Sequence, residues 1–181
     1  GGRRAAKHAL ANAGAGVIFA FLAAATPFRD AFTLALVASF ATALSDTVSS
    51  EIGKAYGRRT YLVTTFRRVA AGSGGAVSLE GTVAGIGASA LLAAAALGVG
   101  LLEGAGAGVV VAAAFVGTTL ESYLGATVER MNLIDNEMEN FTNTVTGGLA
   151  AMGLSGLPPR PSRPYTATTT PTNPPHTTPL Q

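Results

Sequence analysis

The chain has 181 residues, of which 48% are hydrophobic and only 12% charged, about half the charge that soluble domains carry. A net charge of +2 with no cysteine excludes a broadly basic nucleic-acid-binding surface, disulfides and thiolate metal sites. The apolar residues are mostly Ala, Gly, Val and Leu, and small residues let helix backbones approach closely where lipid supplies no hydrophobic drive for packing.

In chain order, apolar stretches predict helices over residues 13–26, 31–50, 82–102, 106–125 and 138–154. A membrane span needs about 20 apolar residues. The second, third and fourth stretches meet that length, whereas the first and fifth are marginal. Pro27 and Asp30 mark the first turn, and Glu103-Gly104 marks the third. The expected fold is all-α, a polytopic transmembrane bundle of about five spans over residues 1–156. After Leu157 Pro and Thr dominate and little remains to bury, which predicts a disordered tail over residues 157–181.

Five spans sort the basic residues strongly. Arg3, Arg4, Lys7, Lys54, Arg58, Arg59, Arg67, Arg68 and Arg130 fall on one side; Arg29, Arg160 and Arg163 fall on the other. The first side is therefore expected to face the cytoplasm or its organellar equivalent.

Polar residues gather on that same side. Asp46 and Glu51 close the second span, Glu80 opens the third, and Glu121 lies near the end of the fourth. Asn136, Asn140 and Asn143 open the fifth. Ionisable residues at membrane depth are costly and mark function by default. On the second helix Ser39, Thr42, Asp46, Ser49, Ser50 and Gly53 recur at three- and four-residue spacing as one small polar stripe. Such a stripe also serves plain helix packing through side-chain hydrogen bonds. Glu51 lies about 140° from Asp46 around an ideal helix, so either the helix unwinds near Ser49 and the two share one metal, or each serves a different ion.

The connection between the second and third spans joins Lys54, Arg58, Arg59, Arg67 and Arg68 to a glycine cluster from Gly72 to Gly75. Glycine lets backbone N–H groups converge on an anion, and Lys or Arg neutralises phosphate charge. Mg²⁺ is commonly held by one or two carboxylates plus substrate phosphate oxygens. The segment thus suits a metal–phosphate substrate, while a basic loop that only sets topology has the same composition. No Walker-type GxxxxGK[ST] occurs, and the GxxxG of Gly81 and Gly85 reads as helix packing.

The string ALSDTVSSEIGKAYGRRTYLVTTFRRV, followed by GGAVSLEGTVAG, resembles the integral-membrane phytyl-phosphate kinases of plants and algae. LESYLGATVE and the run from Asn136 to Asn143 extend the likeness, which covers about residues 2–154. The resemblance implies phosphate transfer from a nucleoside triphosphate, CTP or another, to phytyl phosphate in tocopherol and phylloquinone synthesis, at a chloroplast membrane. It also implies earlier spans upstream of Gly1. In that reading Asp46, Glu51 and Glu80 hold Mg²⁺, and these three with Glu121 are the catalytic carboxylates. Ser50, Lys54, Arg67, Arg68, Gly72, Gly75 and Ser78 bind phosphate, with Asn136, Asn140 and Asn143 as further polar site residues. The partners are membrane lipid, an isoprenoid phosphate and a nucleotide. The chain departs from the family pattern at Gly74, where an acidic residue is common. It departs again at Ala70 and Ala71, where Pro and a basic residue are common, and at Glu139, which takes an apolar position. The alternatives are a nonenzymatic transporter or assembly protein using the same charges, or an inactive fragment of the kinase.

Overall fold

In the computed structural model residues 2–127 and 136–156 are described, with the side chains of residues 2–10 and of Asn136 outside the description. Arg130 and the expected tail over residues 157–181 lie outside the described residues. The element order is α1 (Gly2–Ala25), α2 (Arg29–Tyr56), β1 (Thr60–Leu62), β2 (Ala76–Ser78), α3 (Leu79–Gly98), α4 (Gly104–Thr127) and α5 (Asn136–Leu154). The chain is a polytopic helical membrane protein. Three helices, α2, α3 and α4, are long and apolar enough to cross a bilayer, with mean hydropathies of 1.5, 1.6 and 1.5, and Ala11–Ala25 is a shorter apolar stretch.

Local sequence explains the helix ends. Ala-rich α1 has high helix propensity and stops before Pro27, a residue that disfavours helix at its predecessor. The hydroxyl of Thr26 donates to Leu22 O at 2.7 Å and accepts from Phe28 N, closing the last turn. In α2, Asp30 sits in the first turn and Lys54 in the last, each matched to the helix dipole. Nothing breaks α2 until Gly57, whose N–H donates to Gly53 O at 3.1 Å. The helix therefore runs unbroken through Ser49 and well past the expected end at Ser50. Its final turns carry Glu51 and Lys54 beyond the apolar span.

The glycine-rich connection contains a short antiparallel pair that its sequence did not announce. Thr60 pairs with Ser78, Tyr61 with Val77 and Leu62 with Ala76. Beyond it the chain turns back tightly, with Phe66 N donating to Leu62 O and Phe66 at φ 54°. Val63 N then donates to Gly75 O at 3.1 Å, so the pair pins the glycine segment to the start of α3.

Helix α2 is central and packs against each of the other four helices. The larger core cluster is built mostly from alanine: Ala38 and Ala41 of α2, Ala93 and Ala96 of α3, Ala113 and Ala114 of α4, and Ala151 of α5, with Leu34, Val37 and Val110 filling between them. A second cluster sets Phe19 and Ala15 of α1 against Ala35. Gly81 and Gly85 let α3 lie directly on α2: a β-carbon at Gly81 would stand 2.5 Å from Ser49 O, and one at Gly85 2.8 Å from Ser45 O. The GxxxG is a packing device. Phe21, Leu91, Val99 and Leu149 point outward, where lipid rather than water is their solvent.

Candidate functional site

The antiparallel arrangement brings the second half of α2, the start of α3, the second half of α4 and the start of α5 to one end of the bundle. There they line a cavity of about 700 Å³ together with the Gly72–Gly75 segment and β2. Asp46, Ser50, Glu51, Lys54, Gly72, Gly75, Ser78, Glu121 and Asn140 all line it.

The polar stripe of α2 divides along its length. Toward the bundle middle, buried Thr42 donates its hydroxyl to Ala38 O at 2.7 Å and Ser39 donates to Leu36 O at 2.8 Å. Those hydroxyls are spent within the helix and serve packing. Further along, Ser49 donates to Asp46 O at 3.0 Å, and the Asp46 side chain reaches into the cavity.

Across the cavity the carboxyl groups of Asp46 and Glu121 come within hydrogen-bonding reach of each other. Two carboxyl groups so close must share a proton or a cation. Lys54 is near enough to act on Asp46 electrostatically, and Glu139 on Glu121. Behind Glu121, Asn143 donates its Nδ2 to Oε2 of that carboxylate. Asn143 is 2% exposed, and its Oδ1 is buried with no hydrogen-bond partner among the described residues.

The carboxylates expected to share Mg²⁺ are arranged differently. Because α2 does not unwind at Ser49, Glu51 stays on another face from Asp46 and forms an exposed ion pair with Lys54 at 3.1 Å. Glu80, in the first turn of α3, does not line the cavity. Among the described residues no group of three or more His, Cys, Asp or Glu is placed to hold a metal ion. The set Asp46, Glu51 and Glu80 is thus not a three-carboxylate cage, and the carboxyl group that meets Asp46 is that of Glu121. Two carboxylates still fit Mg²⁺ if phosphate oxygens complete its shell.

The phosphate-binding candidates also divide. Lys54 packs its stem near Gly72, where a β-carbon would be 3.7 Å from Lys54 Cγ. Gly72 and Gly75 adopt φ values of 84° and 70°, which glycine alone takes readily, and Gly75 seats the segment on Ser122 and Ala126 of α4. Ser78 caps α3, its hydroxyl accepting from Gly81 N at 3.1 Å. Arg67 and Arg68 lie exposed in the turn beyond β1 and do not line the cavity. Their place beyond the strand pair follows from a fold-back that composition does not encode. Asn136 begins α5, with its side chain outside the description.

Among the cavity residues not assigned to the site from sequence, three stand out. Asn12 is a lone polar residue in the apolar run of α1, and Ser122 sits one residue from Glu121. Glu139, 7% exposed, precedes Asn143 by four residues and so shares its helix face. That spacing was a usable signal.

Comparison with known proteins agrees with this architecture. A profile of the family described as "Integral membrane protein DUF92" matches residues 1–158. The chain is 43% identical over 129 residues to an uncharacterized membrane protein of Synechocystis, covering 71% of this chain and 50% of the relative. It is 40% identical over 158 residues to Protein VTE6, chloroplastic, of Arabidopsis thaliana, covering 83% of this chain and 47% of the relative. An uncharacterized membrane protein of Methanocaldococcus jannaschii is 35% identical over 150 residues, covering 81% and 60%. The chain spans about half the length of the first two relatives. No solved structure matches it significantly.

Proposed function

Because the chain belongs to the DUF92 family of integral membrane proteins, we propose that it is a membrane phosphotransferase that phosphorylates a prenyl phosphate, phytyl phosphate first among candidates. The observation that carries this reading is the one-ended cavity in which the Asp46–Glu121 pair faces Lys54 and the Gly72–Gly75 segment. The resemblance to phytyl-phosphate kinases supports the substrate class. The likeness to a chloroplastic relative supports a chloroplast membrane as the location.

In this reaction an oxygen of the prenyl monophosphate attacks the terminal phosphorus of a nucleoside triphosphate. The new P–O bond makes the prenyl diphosphate, and the nucleoside diphosphate leaves with the electron pair of the broken bond. The attacking oxygen is already anionic, so no nucleophilic side chain is required. Catalysis of this class is mainly positioning and charge stabilisation.

The residues of this chain supply both. Lys54 places a cation at the mouth of the cavity, and the glycine segment offers backbone N–H groups to phosphate oxygens. Asp46 and Glu121 are the residues that would hold Mg²⁺, which would neutralise charge on the transferring phosphoryl group. Asn143 orients Glu121 from behind. CTP is the proposed donor, with ATP as the competing one.

The test is reconstitution of this chain, and in parallel of the full-length Arabidopsis relative, in vesicles with phytyl phosphate, Mg²⁺ and either CTP or ATP. Diphosphate formation by both supports the reading. Transfer by the relative alone removes the activity from this chain, and transfer by neither removes the reading altogether.

A further inference from the structure

We propose that the apolar groove between α3 and α4 holds the hydrocarbon chain of the isoprenoid phosphate, entering sideways from the lipid. The inference rests on the phosphotransferase reading, and it assigns the part of the substrate that the polar cavity cannot hold. The groove has a volume of about 510 Å³ and is lined only by apolar residues and glycine. Ile86 of α3 and Phe115 of α4 line both the groove and the polar cavity, so the two spaces adjoin across these two side chains. An amphiphile with a phosphate at one end satisfies both at once, which neither a free nucleotide nor an uncharged lipid does.

The dimensions suit a long chain. From Ile86 to Leu97 the groove follows α3 for about 16 Å at the helical rise, roughly half the hydrocarbon thickness of a bilayer. Its trough is made by small residues: Ala90 and Ala94 on one wall, Gly108 and Ala112 on the other. All four are exposed at the bundle surface. A branched chain can therefore lie between the helices without any core side chain moving, and leave by the same route once the diphosphate has formed.

The test uses geranylgeranyl phosphate carrying a diazirine on its terminal isoprene, irradiated with the chain in vesicles, with adducts mapped by mass spectrometry. Adducts are expected within residues 90–97 and 107–112, competed by excess phytyl phosphate. Ala94→Phe fills the groove and should lower competed capture at least tenfold. Ala95→Phe, an equal change at an exposed position outside the groove, should leave capture within twofold. Competed adducts confined to α1, α2 or α5 overturn the groove while leaving the phosphate reading intact. So does equal loss in both variants, and so does an Ala94→Phe chain that changes oligomeric mass yet keeps full capture, since the groove is then a contact between copies. No competed adduct anywhere removes the phosphate reading and the groove with it.

Discussion

Asn143 holds Glu121 from behind: its Nδ2 donates to Oε2 of the carboxylate across the α4–α5 contact. With Nδ2 turned toward Glu121, Oδ1 is left buried without a partner among the described residues. Glu121 in turn meets Asp46. A side chain on α5 thus sets the geometry of a pair formed between α2 and α4.

That relationship makes Asn143 a positioning residue. Asn143→Ala should lower kcat for phosphate transfer roughly tenfold to 100-fold, the range seen when a residue that orients a ligand group is removed. KM for the prenyl phosphate should change little, because Asn143 does not line the cavity. Asn143→Asp should do more harm, setting a third charge against Glu121 and Glu139 and reducing the amount of folded protein. An unchanged kcat in folded Asn143→Ala would separate Glu121 from the chemistry.

Asp46 and Glu51 were equal candidates in the sequence and are not equal in space. Asp46→Asn preserves size and removes the charge that faces Glu121 and Lys54. Transfer should fall at least 100-fold, about 2.7 kcal/mol of transition-state stabilisation. Glu51→Gln removes only an exposed ion pair, of a kind worth about 0–1 kcal/mol; its activity should stay within threefold. Initial rates normalised to folded protein decide between them. The reverse order of effects would return the metal site to Glu51.

Most of the helical architecture was legible because apolar stretches of membrane length are hard to disguise. The largest discrepancy lies at the start of α1, which begins at Gly2 rather than at residue 13; that at the end of α2 arose because Glu51 and Lys54 look like a boundary by hydropathy yet are good helix formers. The strand pair was not legible, since Thr60–Leu62 and Ala76–Ser78 are each only three residues and carry no alternation long enough to detect. For the site, topology alone put Asp46, Glu121 and Asn140 at one end. Which carboxylate meets which depends on helix rotation, and that is set by contacts such as Gly81 on Ser49 and Gly117 on Thr42 and Asn143.

The two flanking glycines of the Gly72–Gly75 segment should respond differently to a methyl group. At Gly75, φ is 70° and a β-carbon would stand 2.5 Å from Ser122 O, so Gly75→Ala combines left-handed backbone strain with a clash against α4. A loss of about 2–5 kcal/mol is expected, the sum of one strained residue and one overpacked contact. At Gly72, φ is 84° but only Lys54 Cγ is near, at 3.7 Å, and Gly72→Ala should cost about 1–2 kcal/mol from strain alone. Thermal unfolding in detergent measures both. Equal losses would mean that the segment is not seated on α4 through Gly75.

A second pair of glycines separates packing from propensity within α3. Gly81 faces α2 so closely that a β-carbon would meet Ser49 O at 2.5 Å and Gly53 Cα at 3.2 Å. Backbone cannot yield as a flexible side chain can, so Gly81→Ala must push the two helices apart where they wall the cavity. Overpacking of this kind costs typically about 1–3 kcal/mol, and the displaced α3 would carry Ser78 and Thr82 away from Asp46. Stability and transfer should therefore fall together. Gly87 lies on the exposed face of the same helix with nothing within 4 Å of its would-be β-carbon. There Gly87→Ala only replaces a poor helix former with a good one, a change worth up to about 1 kcal/mol in favour of the helix, and transfer should be untouched. Unfolding midpoints and rates for the two variants, measured side by side, decide the matter. If Gly81→Ala proved as harmless as Gly87→Ala, the close α2–α3 contact would be absent and Asp46 would lose the frame that aims it at Glu121.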